Sequence, residues 1–353
     1  MVMEAARHVD IAVVGGGPAG ALCALALARG GVSVGLVHWD GYAPGGIELV
    51  SGHARQILEQ YCPDLFRQIS GVEIHETVSL WGTPEPVISN AMFNPWGPGI
   101  ALERAVLDRS LRDLACMAGA SVAVETKVVN IERRNAEWQL LLREGETGSG
   151  FLETRFLVIA SGRVASSFVG HPPVDASSQI ALMMPLPAPS EIYQGPGHTL
   201  YVEAANNGWW YALPMADGGH FAGFCTDRGE VKKRGTTLKE FFLQALRRTH
   251  LLRPLLPGAA VNARITGRTA GARAFDGAAG DGWIAVGDAA YAPDPLSGMG
   301  IEMAIESARL GAGTLLEVMK GRSAAAKFAE YEDAIRGYAG RHNEMAAYHH
   351  GRL

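Results

Sequence analysis

The chain has 353 residues, a net charge of −5 and a hydrophobic share of 48%. That length holds one large or two medium domains with a substantial core, and the mild acidity gives no electrostatic reason to expect a nucleic-acid partner. The four cysteines, Cys23, Cys62, Cys116 and Cys225, form no C-x-x-C pair, which speaks against a disulfide framework and a dithiol reductase and points to a reducing compartment.

In chain order, the leader with Glu4, Arg7 and His8 runs straight into a strand and reads as no secretory signal. The segment Asp10-Ile-Ala-Val-Val-Gly-Gly-Gly-Pro-Ala-Gly20 predicts a buried strand over 10–16, a helix over 17–30 and a second strand over 32–38. This βαβ opening sets the dinucleotide fingerprint between strand and helix. Gly15 makes the turn, Gly17 lets backbone approach a pyrophosphate, and Gly20 allows close helix–strand contact. The apolar run 18–28 is far short of the ~20 residues that cross a bilayer, so a cytoplasmic protein with no membrane partner is expected. The fingerprint wants an acid at the end of the second strand, and the chain has His38 there. Either a neutral His38 accepts the ribose hydrogen bond or Asp40 reaches in from two residues on.

From 41 to 99 the pattern is irregular, with one helix expected over 52–61. A cleaner helix follows from Leu102, with Leu102, Val106, Leu107, Leu111 and Leu114 on one face. Strands over 121–131 and 137–143 read as a meander, and Leu157-Val-Ile-Ala-Ser-Gly162 as another buried strand ending in glycine. Strand-like runs at 179–185, 198–204, 208–214 and 219–226 alternate with turn signals, which predicts an antiparallel sheet, then a helix over about 236–249. The segment from Trp283 to Gly300 holds a second glycine turn, Gly287-Asp288, and Pro295-Leu-Ser-Gly-Met-Gly300, then a helix from about Gly298. Its N–H groups and dipole make a second anion site. The tail, 323–341, is helical, and the His349-His350 pair is assigned to a frayed terminus rather than to a metal.

The order Gly15-x-Gly-x-x-Gly20, Arg104 on a helix, Ser161-Gly162, Gly287-Asp288 and Pro295–Gly300 resembles the FAD-dependent aromatic monooxygenases. The run Gly208-Trp-Trp-Tyr-Ala-Leu-Pro214 resembles the tryptophan-halogenase-like branch, closest to the maturases of peptidyl quinone cofactors. The resemblance implies an α/β fold: a doubly wound, Rossmann-like FAD domain (1–44, 100–165 and 275–345) with an inserted antiparallel-sheet substrate domain (45–99 and 166–274), and a tail at 346–353. It implies noncovalent FAD held by Gly15, Gly17, Ala19 and Gly20 at the pyrophosphate. It further implies contacts from His38, Arg104, Val128, Ser161, Gly162 and Gly287, with Asp288 on the ribityl chain. Pro295, Gly298, Met299 and Gly300 would line the isoalloxazine ring.

The implied reaction is hydroxylation of an indole or phenol by molecular oxygen, on a small molecule or on a peptide-borne Trp or Tyr in cofactor or natural-product maturation. Ser161-Gly162 stands where many single-component hydroxylases have Asp-Gly, so a separate flavin reductase is expected as a partner. Halogenation is disfavoured, because the stretch Gly45–Ser51 has no lysine and the pocket motif reads Trp209-x-Tyr211-x-Leu213-Pro214. Two rivals stay open: a flavin-dependent reductase or dehydrogenase of alkene or prenyl groups, and a non-catalytic flavin-binding partner.

On an alternating strand Trp209 and Tyr211 share one face and Trp210 takes the other, so the pair either walls an aromatic pocket or fills a sheet core. Candidate acid–base residues are Glu48, His53 and Tyr211, each with a structural reading beside it. Asp294 either orients the ring loop or caps a turn. No metal site is expected.

Overall fold

The computed structural model describes residues 7–40, 45–145, 148–164, 173–176, 178–188, 197–232, 235–256, 262–275 and 277–351. Among them an eight-stranded sheet forms the centre of an α/β fold. Its parallel part is ordered Trp283–Ala285, Gly148–Ile159, Arg7–Val14, Val34–Val37, Ser121–Ala123. The carboxyl-terminal parts of these strands, Ile11–Val14, Val34–Val37, Phe156–Ile159 and Trp283–Ala285, are buried runs, as in doubly wound sheets. Helix Pro18–Arg29 is buried almost all round, with Ala21 to Leu27 inside, and packs against helices Arg104–Met117 and Gly300–Met319.

The meander expected around 121–143 is built differently. Ser121–Ala123 is the edge of the parallel sheet, Glu125 takes a positive φ of 52°, and the antiparallel hairpin then runs Thr126–Arg134 to Glu137–Glu144 onto Gly148–Ile159. Two further expectations shift. Leu102 lies in a strand, Gly99–Glu103, rather than on the helix, and Val106 is 36% exposed. The buried stripe of helix Arg104–Met117 is Leu107, Leu111 and Ala115, flanked by the buried polar side chains Asp108 and Arg112.

A seven-stranded sheet lies beside this unit, ordered Thr266–Thr269, Gln179–Leu186, His220–Asp227, Gly208–Pro214, Thr199–Ala205, Glu76–Leu80, Val87–Asn90. It is antiparallel except where Thr199–Ala205 runs parallel to Glu76–Leu80. One face is closed by helix Leu238–Leu246, whose Thr237–Glu240 capping box fixes its start. A small sheet, Ile47–Val50, Gly99–Glu103, Gly71–Ile74, connects the two units. Helix Gly52–Tyr61 leaves this small sheet and buries Ala54, Ile57 and Leu58 in the core of the central sheet. The boundary placed at 165 falls outside the described residues, and the side chains of His349 and His350 are not described.

Candidate functional site

Four parallel strands end side by side: Val14 runs into Gly15, Val37 into His38, Ile159 into Ala160-Ser161-Gly162, and Ala285 into Val286-Gly287-Asp288. The carboxyl ends of such strands are where doubly wound sheets hold ligands. The glycines are there for close approach. Gly15 has φ 113°, and a Cβ on it would lie 2.2 Å from the Ala160 carbonyl oxygen, while one on Gly20 would lie 1.9 Å from the Gly15 oxygen. Ala19 sits against the second turn, 2.8 Å from where a Gly287 Cβ would be. Helix Pro18–Arg29 starts with Gly17 as its N-cap, Pro18 at the first position and no acid in its first turn, leaving its N–H groups and positive dipole end for an anion.

Charges gather at this helix end. Arg104 lies beside Gly17, donates from Nε to Asp108 Oδ1 at 2.7 Å and approaches Glu48 Oε1 at 3.8 Å. Arg104, Asp108 and Arg112 recur every four residues on one helical face, a spacing legible in the sequence but not used there. Burial pushes the Asp108 carboxyl up against the pull of Arg104 and Arg112. On the second turn Arg163 ties Asp288 down: its Nε donates to Asp288 Oδ2 at 3.2 Å, and its other nitrogens donate to the Gly271 and Ala270 carbonyls at 2.6 and 3.2 Å. Arg163 was missed because it follows the glycine in Ser161-Gly162-Arg163, where no motif names it. Ser161 Oγ is buried with no hydrogen-bond partner among the described residues.

The loop after Asp288 is shaped by its own side chains. Asp294 Oδ1 accepts the Leu296 N–H at 2.9 Å, Ser297 Oγ donates back to the Asp294 carbonyl, and Gly298 takes φ 63° before helix Gly300–Met319 begins. Asp294 therefore caps the turn. The helix starts at Gly300 rather than Gly298, because Gly298 is left-handed. Pro295, Gly298, Met299 and Gly300 form one continuous loop-to-helix edge. Across from it stands the aromatic face of strand Gly208–Pro214: Trp209 and Tyr211 with ring centroids 5.8 Å apart, Trp81 edge-on to Trp209 at 6.3 Å, and Leu296 packed among them. The Tyr211 ring lies across Gly223, where a Cβ would be 2.2 Å away. Trp209 Nε1 is buried with no partner among the described residues.

The candidate acid–base residues separate. Glu48 lies at the rim of the Arg104 charge cluster, where partial loss of solvent pushes its carboxyl up while Arg104 and Arg268 pull it down. Burial, then the Cys225 and Glu48 groups, raise the Tyr211 phenol well above its ordinary value. His53 belongs elsewhere. Its Nδ1 meets Glu302 Oε1 at 3.1 Å, its Nε2 lies 3.7 Å from Glu306 Oε1, and its ring packs on Trp96 at 4.5 Å. Ser51 Oγ donates to the same Glu302, so this cluster staples the starts of two helices. Val128 is buried in the core opposite Leu142. His38 is occupied by the glycine turn, with Nδ1 accepting the Gly16 N–H.

A bare-backbone turn at a helix start, an arginine beside it, an orphaned buried hydroxyl and a second glycine–acid turn fit an elongated dinucleotide. Among the described residues no three His, Cys, Asp or Glu side chains are grouped to hold a metal, and no helix is long and apolar enough to cross a membrane. No family model matches the chain. LodB of Marinomonas mediterranea, a candidate FAD-dependent oxidoreductase, is 26% identical over 317 residues, which are 85% of this chain and 82% of LodB. The peptidyl tryptophan dihydroxylase QhpG, essential for tryptophylquinone cofactor biogenesis, superposes with a TM-score of 0.75 at 25% identity, covering 98% of this chain and 76% of QhpG. The flavin-dependent halogenase CmlS superposes with a TM-score of 0.84 at 23% identity over 96% of this chain, which spans only 64% of the CmlS length. The chain is thus similar over most of its length to FAD-dependent oxidoreductases, and its fold is the one found in FAD-dependent halogenases and monooxygenases.

Proposed function

We propose that the protein is a monooxygenase that hydroxylates an indole or phenol ring, with a peptide-borne tryptophan or tyrosine as its substrate class. The observation that carries this reading is the aromatic wall of Trp209, Tyr211 and Trp81 set against the Pro295–Gly300 edge. The likeness to QhpG supports the peptide-borne class. Segments 1–44, 100–165 and 275–345 would carry the cofactor, and 45–99 with 166–274 the substrate.

FAD, when bound noncovalently, supplies the redox chemistry with dioxygen. The chain's own residues do the rest. Gly15, Gly17, Gly20 and the helix N-terminus would hold the pyrophosphate, with Arg104 beside them, and Asp288, fixed by Arg163, would hold the ribityl hydroxyls. Ser161 Oγ offers a further hydrogen bond. Trp209 and Tyr211 orient a flat ring and keep water from the reacting face. Glu48, whose carboxyl is raised by burial, can in its ionised form take a proton from the ring N–H or O–H and return it. Tyr211 keeps its proton throughout the neutral range and acts as a hydrogen-bond donor.

The test uses isotopically labelled dioxygen and a tryptophan- or tyrosine-containing peptide. One labelled oxygen atom appearing in the aromatic product supports the reading. Turnover of a prenyl or alkene substrate with no label incorporated overturns it. Electron supply is tested beside it: slow anaerobic reduction by NADPH alone and acceleration by a separate flavin reductase are expected, because no second nucleotide fingerprint is present in the sequence.

A further inference from the structure

His38 stands where the nucleotide fingerprint wants an acid, and its ring is already committed. Nδ1 accepts the Gly16 N–H at 3.2 Å. That fixes the tautomer: the ring proton sits on Nε2, which donates to Asp40 Oδ1 at 2.8 Å. Arg112 closes the circle, donating from Nη1 to the Gly16 carbonyl at 3.0 Å while Nη2 lies 3.7 Å from Asp40 Oδ1. A Cβ on Gly16 would fall 2.8 Å from both the Arg112 and His38 side chains, so only glycine allows the three groups to close around it. Asp40 Oδ2 has no partner among the described residues, and the Asp40 side chain is 45% exposed.

We propose that Asp40, two residues beyond the strand end, is the acid that receives the adenosine-ribose hydroxyls of FAD, and that His38 is a positioning residue locking Asp40 to the phosphate-binding turn. The ribose hydroxyls need an ionised acceptor beside the glycine turn. A neutral His38 with Nδ1 turned inward has no free acceptor left to offer them. Asp40 has one, and the imidazole bridge and Arg112 hold it in a single orientation. The proposal rests on FAD as the cofactor and not on the reaction performed, so it stands if hydroxylation fails.

The clamp has a pH signature. Burial and the Arg112 charge hold His38 below its ordinary value, while Asp40 and Asp108 pull it up. A second proton goes to Nδ1 and removes the acceptor from the Gly16 N–H, so FAD affinity falls once the pH drops below the ordinary histidine range.

Full-length protein stripped of flavin is titrated with FAD and, separately, with FMN, which has no adenosine. Asp40→Asn should weaken FAD by about tenfold or more, since a charge-assisted hydrogen bond is lost, and leave FMN unchanged. His38→Asn keeps an acceptor for Gly16 without a titrating ring, so its FAD affinity should stay level as the pH falls while that of the native protein drops. Unchanged FAD affinity in Asp40→Asn, or equal weakening of FAD and FMN, overturns the assignment of Asp40. An undiminished acid loss in His38→Asn overturns the clamp, and this arm decides even if Asp40→Asn fails to fold.

Discussion

Trp209 and Trp210 are neighbours in sequence and belong to different parts of the molecule. Trp210 is fully buried, stacked on Phe224 at 4.4 Å and 8° and met edge-on by Phe242 at 4.8 Å. Trp209 is 5% exposed and lies with Tyr211, Trp81 and Leu296 on the other side of the same strand. Both are strand aromatics buried to nearly the same degree, so burial alone does not tell their two faces apart. What lies opposite does: helix Leu238–Leu246 seals the Trp210 face, whereas the Trp209 face meets the loop that leads from the second glycine turn into helix Gly300–Met319.

That contrast can be broken by substitution. The largest effect is expected on the sealed face, where Trp210→Ala should cost about 3–5 kcal/mol of stability through the cavity it leaves. Urea unfolding measures this, and turnover per folded molecule should be unchanged. A smaller loss than that of Trp209→Ala would reverse the assignment of the faces. Next comes Asp288→Ala, which should weaken FAD retention by about 1.5–3 kcal/mol with little change in apoprotein stability. Fluorescence titration of the flavin checks it, and an unaltered affinity would remove Asp288 from the site. Trp209→Leu follows: it should raise the KM for an aromatic substrate by about 1–3 kcal/mol of lost contact while the protein stays folded. Equal loss of stability and substrate binding would make Trp209 a core residue after all.

The smallest effect concerns Glu48. Its folded-state carboxyl is raised, so the native protein holds this proton longer than the unfolded chain does. The associated stability is present at pH below the ordinary carboxylate value and is lost as the pH rises through the raised one. Glu48→Gln should flatten that part of the Tm-against-pH curve, and in turnover it should remove the rise that accompanies ionisation of the base. An unchanged pH–rate profile in the variant would leave Glu48 only at the rim of the charge cluster.

Much of this was legible from one chain. The two glycine turns, the buried strands before them and the helices after them follow from local rules: glycine where φ is positive or backbones touch, unbroken apolar runs where a strand is covered on both faces, and alternation where a strand has two environments. That alternation alone placed Trp209 and Tyr211 together and Trp210 apart. Helix Arg104–Met117 was read less well, because Asp108 and Arg112 are polar yet buried, which displaces the apolar stripe and leaves Val106 outside.

Partnership between distant segments was decided only by the tertiary structure. Local rules say where His38, Glu48, His53 and Arg163 lie along the chain, but a side chain's role depends on what other strands and helices bring to it. His38 turns onto Gly16 because helix Arg104–Met117 delivers Arg112 to the same turn. Arg163 meets Asp288 because their strands are adjacent in the parallel sheet, although 125 residues separate them. His53 and Glu48, five residues apart, diverge because a strand ends and a helix begins between them, turning one toward Glu302 and the other toward Arg104. The sequence by itself determined the cofactor class, since close backbone approach to a phosphate demands glycine at set spacings. The choice of polar partners around that cofactor belonged to the tertiary structure, since electrostatic contacts depend on distance in space and not on separation along the chain.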